Sequence, residues 1–115
     1  MREKSVENDI KAYLFRKGIY HFKVHGSKFM EPGIADIIAC CNGHFLAIEV
    51  KAPGHKYGQS EQQKVHERNV NRSKGTYLLV DSLEEVVEWV ENYEQTTSNK
   101  VIESSNSSNN SDVVI

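Results

Sequence analysis

Asp36, Glu49 and Lys51 are the residues whose types and spacing could do chemistry. They lie in the stretch E-P-G-I-A-D-I-I-A-C-C-N-G-H-F-L-A-I-E-V-K, from Glu31 to Lys51. Two apolar runs, Ile34 to Cys41 and His44 to Val50, flank Asn42-Gly43, the strongest short-range signal for a two-residue type I′ hairpin turn. With those two residues as the loop, Cys41 faces His44 and Asp36 faces Glu49, and Lys51 follows two residues on along the same face. Facing carboxylates repel, and burying unpaired charge costs several kcal/mol, so a cation is expected between them. Two hard oxygen donors on adjacent strands suit Mg²⁺ or Mn²⁺, which keep several waters and take further ligands from phosphate. The backbone carbonyl of Val50 would add a third protein ligand. Such a metal acidifies a bound water and polarises a phosphoryl oxygen, and Lys51 would position that water or stabilise charge on the phosphate. The competing reading is a buried Glu49–Lys51 ion pair. Residues two apart on a strand lie roughly 6.6 Å apart at Cα, which permits the pair but leaves Asp36 unpaired. The metal is therefore preferred.

The elements that must position these residues follow from periodicity. A first helix is expected from about Lys4 to Lys17, with Ser5 as N-cap, apolar positions Val6, Ile10, Tyr13 and Leu14, and Gly18 as its C-terminal glycine. Glu7 reads from pattern alone as a first-turn acid facing the helix dipole. Residues 19–25 alternate as a strand, and residues 26–32 form a loop carrying Lys28. The hairpin strands are apolar on both faces, so the hairpin is expected inside the sheet. The loop A-P-G-H-K-Y-G-Q after it offers a ring nitrogen, a cation and an aromatic surface in His55, Lys56 and Tyr57. That suits a phosphodiester chain, or else it is a solvated turn. Ser60 and Gln63 form an S-x-x-Q capping box opening a helix to about Ser73, with Val65 and Val70 as its strong apolar positions and a basic balance from Lys64, Arg68, Arg72 and Lys74. A short strand, Thr76 to Val80, and a helix capped by Asp81-Ser82 and running from Leu83 to about Tyr93 complete the order αβββαβα. The fold class is α/β, a mixed central sheet flanked by helices.

At 115 residues the chain suits one domain, 1–94, followed by a Ser/Asn-rich tail at 95–115 expected to be disordered. The net charge of −2 hides an asymmetry: residues 1–80 carry 13 Lys/Arg against 8 Asp/Glu, whereas residues 81–94 carry six acids and no base. This leaves room for a nucleic-acid partner, although on charge alone a solvated surface with an acidic last helix is simpler. No apolar segment approaches the roughly 20 residues needed to span a bilayer, and the N-terminus is not signal-like. No membrane association is expected. Cys40 and Cys41 read as core residues of a reduced, cytoplasmic protein, with Cys40, Cys41 and His44 too few and too divergent for zinc.

P-G-I-A-D followed by I-E-V-K resembles the PD-(D/E)xK nuclease signature. The order G-x-x-D, I-E-V-K, S-x-x-Q, over residues from about 4 to 93, is similar to the virus-type replication-repair nuclease (VRR-NUC) family. D-x12-E-x-K alone is a weak pattern, and its placement on a hairpin before an S-E-Q-Q helix is what makes it specific. The resemblance implies a restriction-endonuclease-like core with Asp36 and Glu49 as metal ligands and Lys51 as the catalytic lysine. It also implies that Gln63 is the helix-borne glutamine, with Gln62 the adjacent alternative, and that Glu7 is the acid of the first helix. It further implies a stand-alone, phage-like endonuclease working inside a host cell as a homodimer on branched or junction DNA. The dimer would use the apolar face of the last helix or the edge of the strand at 76–80. One departure stands out: Ala35 precedes the aspartate where the signature has proline, and the proline is displaced to Pro32. A catalytically inactive DNA-binding module with the same fold is the alternative.

Overall fold

The computed structural model describes the backbone of residues 2–26 and 30–107 and the side chains of 2–26 and 30–97. Its elements are α1 (Glu3–Arg16), β1 (Tyr20–Lys23), β2 (Ile37–Cys41), β3 (His44–Val50), α2 (Glu61–Arg72), β4 (Thr76–Val80) and α3 (Leu83–Ser107). The described residues form a mixed α/β fold, with one four-stranded mixed sheet and three helices. The sheet order is β1-β2-β3-β4, antiparallel across the first two pairings and parallel between β3 and β4. β2 and β3 are thus the internal strands. Asn42 and Gly43, at φ 52° and 83°, both adopt the left-handed conformation that a type I′ turn requires. The expected register is present, Cys41 opposite His44 through to Ile37 opposite Ile48.

Strand alternation divides the sheet into two faces. Ile37, Ala39, Cys41, Leu46, Ile48 and Val50 point into the main core with Val6, Ile10 and Leu14 of α1 and Val86 and Val90 of α3. The other face carries Ala47 and Tyr77, with Ile38, Val70 and Leu79 packed against them. α2 covers that second face mainly over β4.

Several local expectations change. α1 begins at Glu3 with Arg2 at its N-cap and no side-chain cap, so Ser5 lies inside the helix. Its C-terminal end is as expected: Gly18 has φ 73°, and Ile19 and Gly18 N–H donate to the carbonyls of Leu14 and Phe15, a Schellman pair. Cys40 is exposed and only Cys41 is buried, because β2 alternates and its second face is open at that point. Val65 is exposed, and Val70 alone of the two packs on the sheet. α3 does not stop near Tyr93 but continues to Ser107. No Gly or Pro interrupts it, and the Thr96 hydroxyl donates to the Asn92 carbonyl, so the polar composition read as a tail from residue 95 is carried first on a helix. The remainder of that tail, 108–115, lies outside the described residues.

Gly33, in the loop leading to β2, is the glycine on which the site depends. It has φ 89°, and a Cβ there would come within 2.5 Å of the Gln62 backbone. Its lack of a side chain lets the first turn of α2 settle against the residues preceding Asp36. His66 fixes the same contact through its Nε2, 3.1 Å from the Pro32 carbonyl oxygen. Gly33→Ala is therefore expected to destabilise the fold by about 2 kcal/mol or more in chemical denaturation. Gly26→Ala, where a Cβ meets nothing within 4 Å, should be close to neutral.

Candidate active site

Asp36 sits at a bend one residue before β2, just beyond the last paired residues of the ladder, Ile37 and Ile48. Its carboxylate turns to the end of β3, where Oδ2 accepts the Val50 N–H at 2.8 Å. Its own carbonyl accepts the Val24 N–H, also at 2.8 Å, which ties it to the chain leaving β1. Asp36 is therefore not a regular ladder partner of Glu49. It faces the same end of β3 because the strand ends there and the side chain supplies a hydrogen bond.

Glu49, one residue earlier on β3, is only 4% exposed. Its Oε2 accepts from Gln63 Nε2 at 2.8 Å and lies 3.5 Å from Lys51 Nζ. Its Oε1 is buried with no hydrogen-bond partner. Burial first, and then the charge of Asp36, push the Glu49 carboxyl up to about 7 against the pull of Lys51. A buried carboxylate with an unoccupied oxygen and a second negative group nearby lacks positive charge.

Gln63 holds this arrangement from α2 through its capping box. Its N–H donates to Ser60 Oγ at 3.2 Å, and its Oε1 accepts the Ser60 N–H at 2.9 Å. The Ser60 amide can only donate, so it fixes the oxygen of the Gln63 side chain and leaves the NH₂ group for Glu49. Lys51 Nζ reaches Gln63 Oε1 at 3.3 Å and the Gly58 carbonyl at 3.4 Å. Gln62 is engaged instead through its backbone contact with Gly33.

Glu7 joins from the opposite face of the sheet. It is 4% exposed on α1, and its Oε1 accepts from Lys23 Nζ at 3.0 Å while Oε2 lies 3.4 Å from Lys11 Nζ. Burial raises the Glu7 carboxyl, but Lys23 and Lys11 outweigh it and hold it below the usual range. Lys23 Nζ also lies 3.5 Å from Asp36 Oδ1, so it bridges the two acids. Sequence reasoning missed Lys23. The only available signal was its place at the end of an alternating strand whose other lysine-bearing face turns toward α1.

The remaining expected residues divide. Tyr57 is 96% exposed and His55 is exposed, so both are open to a ligand. Lys56 is not: its ammonium is paired with Glu85 of α3, which also accepts the Asp81 N–H and the Ser82 hydroxyl. The cation expected to meet phosphate instead ties its loop to α3. Lys28 lies outside the described residues.

The donor set fits a divalent cation that retains much of its water. Asp36 and Glu49 offer carboxylate oxygens beside the Val50 peptide, and the orphaned Glu49 Oε1 is the atom that such an ion would satisfy. Among the described residues, no group of three or more His, Cys, Asp or Glu side chains is placed to hold a metal, so water and substrate would have to complete the shell. No protein-family model matches the chain, and a search of curated proteins found no significant similarity.

The Glu49 shift implies a pH dependence with a definite sign. Its folded value, about 7, exceeds the ordinary 4.5, so the folded state binds the extra proton between these limits. Stability from this group is full below about pH 4.5 and is lost as pH rises through 7, a change on the order of 3 kcal/mol. Glu7, held low, acts in the other direction, losing stability only as pH falls below its ordinary range. Melting temperature measured in chelator should therefore decline from pH 5 to pH 8, and Glu49→Gln should flatten that decline.

Proposed function

We propose that this chain is a Mg²⁺- or Mn²⁺-dependent DNA endonuclease of the VRR-NUC type on a restriction-endonuclease-like core. The observation that carries this reading is the buried, unpartnered Glu49 Oε1 beside Asp36, with Lys51 alongside. Here one carboxylate oxygen is buried without a partner at the end of two central strands.

In this reading Asp36, Glu49 and the Val50 carbonyl hold the metal. When bound, the ion makes a water nucleophilic near neutral pH and withdraws electron density from the phosphoryl oxygens. Lys51, one residue beyond the strand that carries Glu49, faces charge building up on the phosphate. Its present contacts are long, 3.3 to 3.5 Å, so it can turn to a substrate oxygen at little cost. Gln63 keeps the Glu49 carboxylate oriented, and Lys23 does the same for Asp36 from the other face. Glu7 holds Lys23 in place.

DNA is the proposed substrate, with His55 and Tyr57 at the open side of the site, and branched or junction structures are the proposed targets. A pair of such chains about a two-fold axis would present two sites. The apolar face of α3 is not free for that contact, since Val86 and Val90 are wholly buried in the core of the same chain. The second reading, a DNA-binding module without cleavage, draws on Lys23, which already lies beside Asp36, and on the lack, among the described residues, of any group of three or more His, Cys, Asp or Glu side chains placed to hold a metal. No helix in the described residues is long and apolar enough to cross a membrane.

Cleavage of duplex, flap and four-way-junction DNA with Mg²⁺ or Mn²⁺ tests the proposal. Asp36→Asn and Lys51→Ala are each expected to lower the rate by at least about a hundredfold. Wild-type rates in both variants would overturn the metal-nuclease reading, and DNA binding without any cleavage would favour the second. Millimolar Mn²⁺ should raise the melting temperature of the wild-type chain, more at pH 8 than at pH 6, since Glu49 must lose its proton to bind. Glu49→Gln should abolish that rise.

A further inference from the structure

We propose that three exposed aromatic rings, Tyr20, Phe22 and Phe45, form a stacking platform for unpaired bases of a nucleic-acid strand leading into the Glu49 site. This deepens the nuclease reading by naming the substrate class: a strand with several unpaired bases next to the scissile bond, as in a flap, a gap or a single-stranded end.

The register places the rings. Tyr20 pairs with Cys40 and Cys40 with Phe45, while Phe22 pairs with Ile38 and Ile38 with Ala47. Side chains of directly paired residues lie on one face, so these six form two adjacent rows. Continuing along β3 on that face, Phe45 and Ala47 lead to Glu49, about 13 Å from Phe45 at Cα. The platform and the carboxylate therefore share one face of the sheet.

That face is only partly covered. Ala47, under α2, is 2% exposed, whereas Tyr20, Phe22 and Phe45 are 72%, 48% and 48% exposed. The Tyr20 and Phe22 rings are 6.2 Å apart at their centroids and inclined at 59°. Three rings left in water on one sheet face mark a binding surface.

The border of the patch indicates what binds. Phe45 lines a groove of about 420 Å³ with Asn69, Val70, Ser73 and Gly75. A Cβ at Gly75 would lie 3.1 Å from the Phe45 ring, so the glycine keeps the groove wall clear of that ring. A planar base can lie on Phe45 with the Asn69 amide of α2 and the Ser73 hydroxyl at its C-cap within reach of its polar edge. Arg72 and Lys74 flank Ser73, are exposed, and join no ion pair among the described residues. Cations next in the chain to residues that line the Phe45 groove suit a ligand that presents phosphates and bases together, which an apolar protein surface does not.

The test is anisotropy binding of oligothymidylate, oligouridylate and a blunt duplex, each of about 12 nucleotides, in chelator so that no strand is cut. Tyr20→Ala, Phe22→Ala and Phe45→Ala are each expected to weaken binding of one or both single strands about tenfold, while duplex binding is unchanged. Tyr20→Phe, which keeps the ring, should bind as the wild type does. Cys40, the exposed thiol in the same row as Tyr20, gives a second readout: a saturating single strand should slow its reaction with Ellman's reagent. Unchanged single-strand binding in all three alanine variants, an equal loss for duplex, or no protection of Cys40 would overturn the proposal. So would conversion of a dimer to monomers by these substitutions in light scattering, which would make the patch a contact between copies. Because binding is read without metal, the platform can fail while cleavage survives, and cleavage can fail while the platform stands.

Discussion

The rest of the structure depends on the burial of one charge, the Glu49 carboxylate, in the second-last position of a central strand. A carboxylate removed from water is costly unless paired, and this one is paired on one oxygen only. The elements around it are arranged so that the cost is partly met and one oxygen is left without a partner. β3 supplies the position, α2 supplies the Gln63 amide, and Lys51 supplies a charge at 3.5 Å that leaves the carboxyl still raised to about 7.

Two side-chain clusters meet at this end of the sheet. On one face Glu49, Gln63 and Lys51 are linked through the capping box of α2, so a helix N-terminus and a site residue share one glutamine. From the other face Glu7 and Lys23 reach Asp36 through α1 and β1. Asp36 joins the clusters because its carboxylate takes the Val50 N–H while its backbone takes the Val24 N–H. Shifting β1, α1 or α2 would therefore move a different part of the same site. Networks of this kind are not additive, since removing one member leaves the others with uncompensated buried polarity.

Much of this was legible because the signals are local. Asn42-Gly43 gives the turn, the turn gives the register, and the register brings Asp36 and Glu49 to the same strand end. Ser60 and Gln63 give the capping box by spacing alone. What was not legible depends on residues far apart in the chain. Lys23 next to Glu7 and Asp36 requires β1 to be packed against α1. Lys56 had the look of a free phosphate contact, but Glu85, 29 residues on, reaches it. Gly33 matched a motif position, while the reason for it, the approach of the Gln62 backbone, is a contact between a loop and a helix. Strand alternation predicted two apolar faces for the hairpin but not how far α2 would cover one of them, so the exposure of Phe45 and Cys40 went unforeseen.

By itself the sequence determined the order of the elements, the hairpin register and the set of residues able to do chemistry, because turn geometry, helix caps and strand period act over a few residues. The tertiary structure decided which charges are compensated. It paired Lys56, set Lys23 between two acids, left Glu49 Oε1 with no partner and left three rings uncovered on the same face of the sheet. Charge compensation and coverage are properties of neighbours in space, and those neighbours come from strands and helices far apart in the chain. Lysines serve the flanks of the site, and Glu49 Oε1 stays buried with no partner.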